Sequence, residues 1–325
     1  MSPQFKTIAI VGTGALGLYY GGRLARAGGD VTFLARGDVE ALRVGGIEVQ
    51  SPGDDFTVPR VKVAAAPEEI GPVDLVVIAL KATANDRLGR LLPPLLHAET
   101  TVVNFQNGLG VDEAVAAVAG PGRTLGGLCF VGVNRVAPGR AVCAHAGYVV
   151  LGELSGAPTA RTESVAALLR SSGVVVDVSA SLPAARWRKL VWNVPFNGLA
   201  VVEGGMMSDE ILREPRREAR VRALMREIQA IAGCEGVEIE DAFLEHNVER
   251  TRTMPYKPST MLDYLAGRPL ELEPIWGEPL RRARAHGVPA PQLAALHEEL
   301  RTIRSRGNDV HARGEGEVGI TGSRS

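Results

Sequence analysis

The junction Thr7-Ile8-Ala9-Ile10-Val11-Gly12-Thr13-Gly14-Ala15-Leu16-Gly17 constrains the fold more than any other stretch of this chain. An apolar run rich in β-branched residues breaks into glycines at positions 12, 14 and 17. The run reads as a strand buried on both faces, and Ala15 to Ala27 reads as a helix. Glycines spaced this way between a strand and a helix meet three separate needs. Gly12 permits the tight turn, Gly14 leaves the backbone bare for a pyrophosphate, and Gly17 lets the helix lie close to the strand. The helix N-terminus adds unpaired N–H groups and a partial positive charge. Gly12, Thr13, Gly14, Ala15, Leu16 and Gly17 are therefore the candidate phosphate-binding turn of a dinucleotide site. With 38 glycines in the chain, a ligand-free glycine connection is the competing reading. The strand before and the helix after favour the dinucleotide.

Strand-like and helix-like segments keep alternating through the first half. Val31 to Ala35, Leu75 to Leu80 and Thr101 to Phe105 read as strands, and Asn85 to Leu92 and Val111 to Val118 as helices. This alternation builds βαβ units and a mostly parallel sheet. Cys143 to Glu153 and Val174 to Val178 read as later strands, so the stretch from Leu125 to Val178 is expected to add edge strands. From Leu182 onward helical periods dominate, over 184–202, 215–232, 241–251, 277–286 and 292–305. The expected architecture is α/β, with an N-terminal Rossmann-type doubly wound sheet and a C-terminal all-helical domain. Its expected boundaries are 1–180 for the dinucleotide-binding Rossmann domain, 181–305 for the helical domain, and 306–325 for a flexible Gly/Arg/Ser-rich tail.

Composition narrows the classes of partner. The 325 residues are 45% hydrophobic and 22% charged, ordinary for a soluble globular chain. A net charge of −1 offers no electrostatic footprint for nucleic acid. Cys129, Cys143 and Cys234 form no CxxC pair, and the six histidines show no ligand spacing. A reducing compartment and no metal are therefore expected. The apolar runs are too short to span a bilayer, and the first leads into glycines rather than a cleavage site. The expectation is a cytoplasmic protein with a small-molecule substrate and neither membrane nor nucleic acid as partner. The oligomeric state stays open, with a homodimer through the helical domain as one arrangement.

The residue after the second strand discriminates between cofactors. NAD enzymes place an acid there on the ribose 2′-hydroxyl, whereas this strand ends Leu34-Ala35-Arg36. A guanidinium can hold a 2′-phosphate in fork geometry, so Arg36 points to NADP, although Asp38 and Glu40 lie close enough to reach a ribose. Lys81 follows the strand ending at Leu80, and Asn107 follows the strand ending at Phe105. Ligands of open α/β sheets bind at such carboxyl ends, which makes both residues candidates for cofactor contact. A surface lysine and an Asn-Gly turn are the plainer alternatives.

A second constellation lies on an apolar helix. Lys189, Asn193 and Asn197 are spaced i, i+4, i+8 and fall within an arc of about 80°. Leu190, Val191, Trp192, Val194, Phe196 and Leu199 occupy the rest of the circumference. A solvated face would be wider and more charged. A narrow stripe of one ammonium and two amides suits a cleft in which a carbonyl and a carboxylate are hydrogen-bonded. Pro195 removes an N–H and leaves the Val191 carbonyl without its helical donor.

Taken together, these segments resemble the ketopantoate reductases (2-dehydropantoate 2-reductases). The resemblance rests on Gly12-Thr13-Gly14-Ala15-Leu16-Gly17, Leu80-Lys81-Ala82, Gln106-Asn107-Gly108, Arg188-Lys189-Leu190 with Asn193 and Asn197, and Ser259 to Glu271. It implies a Rossmann domain followed by a helical domain, and NADPH-dependent reduction of ketopantoate to pantoate in pantothenate and coenzyme A biosynthesis. It implies that Arg36 recognises the 2′-phosphate and that Lys81 and Asn107 lie on the cofactor side. It further implies that Lys189 is the catalytic lysine, that Asn193, Asn197 and Ser259 bind substrate, and that Glu271 is the active-site glutamate, touching substrate or cofactor. An ammonium suits this chemistry because reduction of a ketone builds negative charge on its oxygen.

One departure stands out. Family members commonly carry an asparagine about ten residues after the position of Asn197, where this chain reads Glu203-Gly204-Gly205-Met206-Met207. A thioether cannot replace the hydrogen bonds of an amide. A different 2-keto or 3-hydroxy acid is the first alternative substrate class, and a non-catalytic NADP-binding protein is the second alternative reading.

Overall fold

The computed structural model describes residues 5–314. The chain divides into two compact units that meet in sequence at Lys189 and Leu190.

The first unit is α/β. Its strands are β1 (Thr7–Val11), β2 (Asp30–Leu34), β3 (Ile47–Gln50), β4 (Phe56–Val58), β5 (Lys62–Ala64), β6 (Leu75–Ile78), β7 (Thr101–Asn104), β8 (Thr124–Ala137), β9 (Arg140–Glu153) and β10 (Val176–Val178). Its helices are α1 (Ala15–Arg26), α2 (Val39–Gly45), α3 (Leu88–Leu91), α4 (Val111–Ala119) and α5 (Ala160–Ser171), followed by the start of α6 (Leu182–Val202). One sheet joins all ten strands in the order β4-β3-β9-β8-β7-β6-β1-β2-β5, with β10 also paired to β9. The run from β8 through β7, β6, β1 and β2 to β5 is parallel throughout. Chain order reverses on either side of β1, which places the topological switch point between β1 and β6.

Alternation along the central strands explains why helices cover both faces. Ile8, Ile10, Leu75 and Val77 enter one core with Leu18, Tyr20 and Leu24 of α1 and Val165 and Leu169 of α5. Ala9, Val11, Val76 and Ile78 enter the other with Leu88 of α3 and Val115 of α4. A strand apolar at every position is what two covered faces require.

Two details differ from the sequence reading. Strands β8 and β9 form a fourteen-residue-a-side antiparallel pair, but they do not edge the sheet, because β3 pairs with β9 and β4 with β3 beyond it. The helix expected over Asn85 to Leu92 is a 3₁₀ stretch, Ala82–Arg87, with the single α-turn α3 after it. Pro93 and Pro94 follow and prevent that turn from extending.

The second unit, beginning at Leu190, is helical. It holds the rest of α6, then α7 (Ser208–Ile211), α8 (Pro215–Cys234), α9 (Asp241–Arg252), α10 (Ser259–Leu265), a π-helical turn at Glu273–Gly277, α11 (Glu278–Ala285) and α12 (Pro291–Gly314). Trp276, from the π-helical turn, donates from Nε1 to the Val194 carbonyl at 3.0 Å. Gly198 has no room for a side chain, because a Cβ there would stand 2.7 Å from Leu296 of α12. The first residues of the expected 306–325 tail continue α12 as helical backbone through Gly314, and 315–325 lie outside the described residues.

Candidate active site

At the end of β1 the backbone turns at Gly12 with φ of +108°, a conformation that strains any residue with a Cβ. A Cβ at Gly17 would collide with the carbonyl of Gly12, so this glycine is what allows α1 to lie against the turn. Gly14 is the N-cap of α1 and supplies no side-chain cap. A Cβ there would meet only the Ala79 carbonyl, at 3.9 Å, so the space over the turn is open. The N–H groups of Ala15, Leu16 and Gly17 have no acceptor within the helix, and the first turn of α1 carries no acid. An open cradle of donors at a positive helix end fits the pyrophosphate of a dinucleotide.

Arg36 is exposed two residues beyond β2 and makes no hydrogen bond or ion pair among the described residues. Lys81 is exposed in extended backbone just past β6 and serves as N-cap of the 3₁₀ stretch. Asn107 is half-buried in the loop after β7. These residues follow three parallel strands at their carboxyl ends, the side of the sheet that carries the glycine turn.

Lys189 and Asn107 come together directly. The Lys189 ammonium donates to Asn107 Oδ1 at 2.7 Å and to the Cys129 carbonyl at 2.8 Å, and it stands 4.9 Å from the centre of the Phe130 ring. Burial pushes the Cys129 thiol up to about 11, against the opposing pull of the Lys189 charge, so this sulfur is a neutral neighbour.

One turn earlier on α6 is a group that sequence reasoning missed. Arg186 is buried and forms a two-pronged pair with Asp112 of α4, Nε to Oδ2 at 2.8 Å and Nη2 to Oδ1 at 2.7 Å. Its Nη1 donates to the Gln106 carbonyl at 2.6 Å. Asp112 also accepts from Asn104 Nδ2 at 2.9 Å, and the Gln106 amide N–H donates to Asn104 Oδ1 at 3.2 Å. The residue before Asn107 and the turn before Lys189 are thus fastened to one buried carboxylate. The sequence signal was slight, since Arg186 is one of three basic residues, with Arg188 and Lys189, near the start of α6.

In the helical unit, Asn193 and Asn197 continue the α6 stripe. Both are buried, at 8% and 4% exposure, yet neither side chain makes a hydrogen bond among the described residues. Their amide atoms are not fully enclosed, so they keep donors and acceptors that a ligand could meet. Ser259 is exposed at the first position of α10, and Glu271 is half-buried between α10 and the π-helical turn. Met206 and Met207 are half-buried just before α7, and Met207 N–H donates to Glu210 at 2.9 Å.

Comparison with known proteins converges on one family. The family model for ketopantoate reductase PanE/ApbA matches residues 8–156, and the model for its C-terminal part matches 181–304. A 2-dehydropantoate 2-reductase of Nostoc sp. is 38% identical over 307 residues, which is 93% of this chain and 96% of the relative. The crystal structure of 2-dehydropantoate 2-reductase from Geobacter metallireducens GS-15 superposes with a TM-score of 0.88 at 42% identity, covering 91% of this chain and 99% of that one. The corresponding Methylococcus capsulatus structure gives a TM-score of 0.85 at 34% identity, covering 93% and 97%. With both halves matched in order and the fold reproduced, the chain belongs to the ketopantoate reductase PanE/ApbA family.

Proposed function

We propose that this protein reduces 2-dehydropantoate to pantoate with NADPH, in the cytoplasm, as a step of pantothenate biosynthesis. The observation that carries this reading is the placement of Lys189 by Asn107 and the Cys129 carbonyl. Both of these acceptors are neutral, and they orient two of the ammonium's donors. NADPH, when bound, supplies a hydride to the C2 carbonyl carbon. Lys189 then stabilises the negative charge gathering on the ketone oxygen and passes it a proton, which balances the reduction to a 2-hydroxy acid. Asn193 and Asn197 hydrogen-bond and orient the keto acid, Ser259 binds its carboxylate, and Glu271 holds substrate or cofactor through a hydrogen bond. Gly12 to Gly17 cradle the pyrophosphate, Arg36 takes the 2′-phosphate, and Lys81 and Asn107 contact the rest of the cofactor.

The match to 2-dehydropantoate 2-reductases over nearly the whole chain supports the reaction class and the substrate. Met206 and Met207, standing where the family commonly has an amide, favour a second reading in which a less polar 2-keto acid is turned over. Loss of NADPH absorbance with ketopantoate, run beside NADH and a panel of 2-keto acids, tests both. Fast and NADPH-selective turnover of ketopantoate is the expected result. Activity confined to another keto acid overturns the substrate, and activity with none overturns the enzyme.

A further inference from the structure

Asp38 lies four residues beyond the end of β2 and two beyond Arg36, near but not at the position where an NAD enzyme keeps its ribose-binding acid. It is also the N-cap residue of α2, a position at which an aspartate ordinarily accepts a backbone N–H from its own helix. Here the side chain makes no such cap. Its carboxylate turns instead to two partners outside the helix. One is the Thr13 hydroxyl of the glycine turn, which donates to Oδ2 at 3.1 Å. The other is Arg135, near the far end of β8, whose Nη2 donates to Oδ1 at 2.8 Å. The Asp38 side chain is only 11% exposed, so solvent screens this pair less than an ordinary surface pair.

We propose that Arg135 is a specificity-determining residue for the cofactor, an inference that rests on the NADPH reading above. By pairing with Asp38 it keeps that carboxylate from the ribose 2′-hydroxyl and offsets its charge. The ground beyond β2 then presents the unpaired guanidinium of Arg36 to a 2′-phosphate, with Glu40 in the first turn of α2 as the remaining exposed acid. Without Arg135, an anion fixed to the glycine turn through Thr13 faces a dianionic phosphate, and like charges a few ångströms apart repel. The same carboxylate becomes available to accept from a free 2′-hydroxyl.

Calorimetric binding of 2′,5′-ADP and of 5′-AMP to the full chain tests this without any turnover. Wild type should prefer 2′,5′-ADP. Equal affinity for the two would remove the NADPH reading and, with it, any role for Arg135. Given that preference, Arg135→Ala should weaken 2′,5′-ADP about tenfold while 5′-AMP binding stays the same or tightens. Arg135→Lys should keep most of the preference. Adding Asp38→Asn to Arg135→Ala should restore 2′,5′-ADP binding, because the repelling charge is gone. Equal weakening of both ligands would mean a structural role and would sink the proposal. A double variant that stays as weak as Arg135→Ala would mean that Arg135 holds the phosphate itself, which also overturns it.

Discussion

Two polar clusters, one in each unit, are built in different ways. In the α/β unit, Arg186, Asp112 and Asn104 close a network around the Gln106 main chain, and Lys189 donates to Asn107 and a main-chain carbonyl. In the helical unit, Asn193 and Asn197 are buried residues whose amides make no hydrogen bond among the described residues and keep contact with solvent. Paired groups stabilise the protein and hold a geometry in advance. Amides that keep contact with solvent can exchange water for a ligand. Under the proposed function, the reacting group belongs to the paired cluster and substrate recognition to the other.

The sharpest way to break that contrast is Lys189→Ala. Turnover should fall by about 10²- to 10⁴-fold, the usual worth of a positioned acid, while fluorescence titration still shows NADPH binding. Unchanged turnover would take Lys189 out of the chemistry. Arg186→Ala leaves the Asp112 carboxylate buried without its cation, and the loss should be about 3–5 kcal/mol in urea unfolding. A loss well below that range would mean that the network relaxes without it.

Glu153 offers a milder test on the same side. It accepts from Thr159 at 2.7 Å and from Thr162 at 2.6 Å and also pairs with Arg161. Burial alone would raise its carboxyl, but these hydrogen bonds prevail and hold it below the usual carboxylate range. The folded value is therefore below the unfolded one. Its stabilisation is fully present above the unfolded value of about 4.3 and fades as pH falls through the folded one. Glu153→Gln should cost about 1–3 kcal/mol at neutral pH and should flatten the acid limb of the stability profile. An acid limb as steep as that of wild type would refute the assignment.

The smallest effect on folding is expected from Asn197→Ala. Thermal stability should change by less than about 1 kcal/mol, because no protein hydrogen bond is lost, while KM for the keto acid rises about tenfold. A clear loss of stability with KM unchanged would reverse the comparison between the units.

Legibility in the sequence follows the same physics. Strands β1, β6 and β7 could be read because both their faces are covered, which forces continuous apolar runs. The α6 stripe could be read because a helix repeats its faces at fixed spacing. Strands β3, β4 and β5 are three or four residues long, too short to show a period. Helix α5 was hidden among residues that read as strand, since its buried face is little more than Val165, Ala166 and Leu169. Gly126, Gly127 and Gly132 concealed the length of β8. Arg186 meets Asp112 across 74 positions of sequence, a distance at which no local pattern operates. Asp38 was visible as an acid near the ribose site, but its capture by Arg135 depends on the β8–β9 pair reaching back to α2.

Because one acceptor of Lys189 belongs to the main chain of residue 129, no single codon change at that position can delete it. Asn107 can be lost by mutation, but the carbonyl can only be displaced, and β8 is held between β7 and β9. That part of the lysine's anchorage is thereby shielded from point mutation.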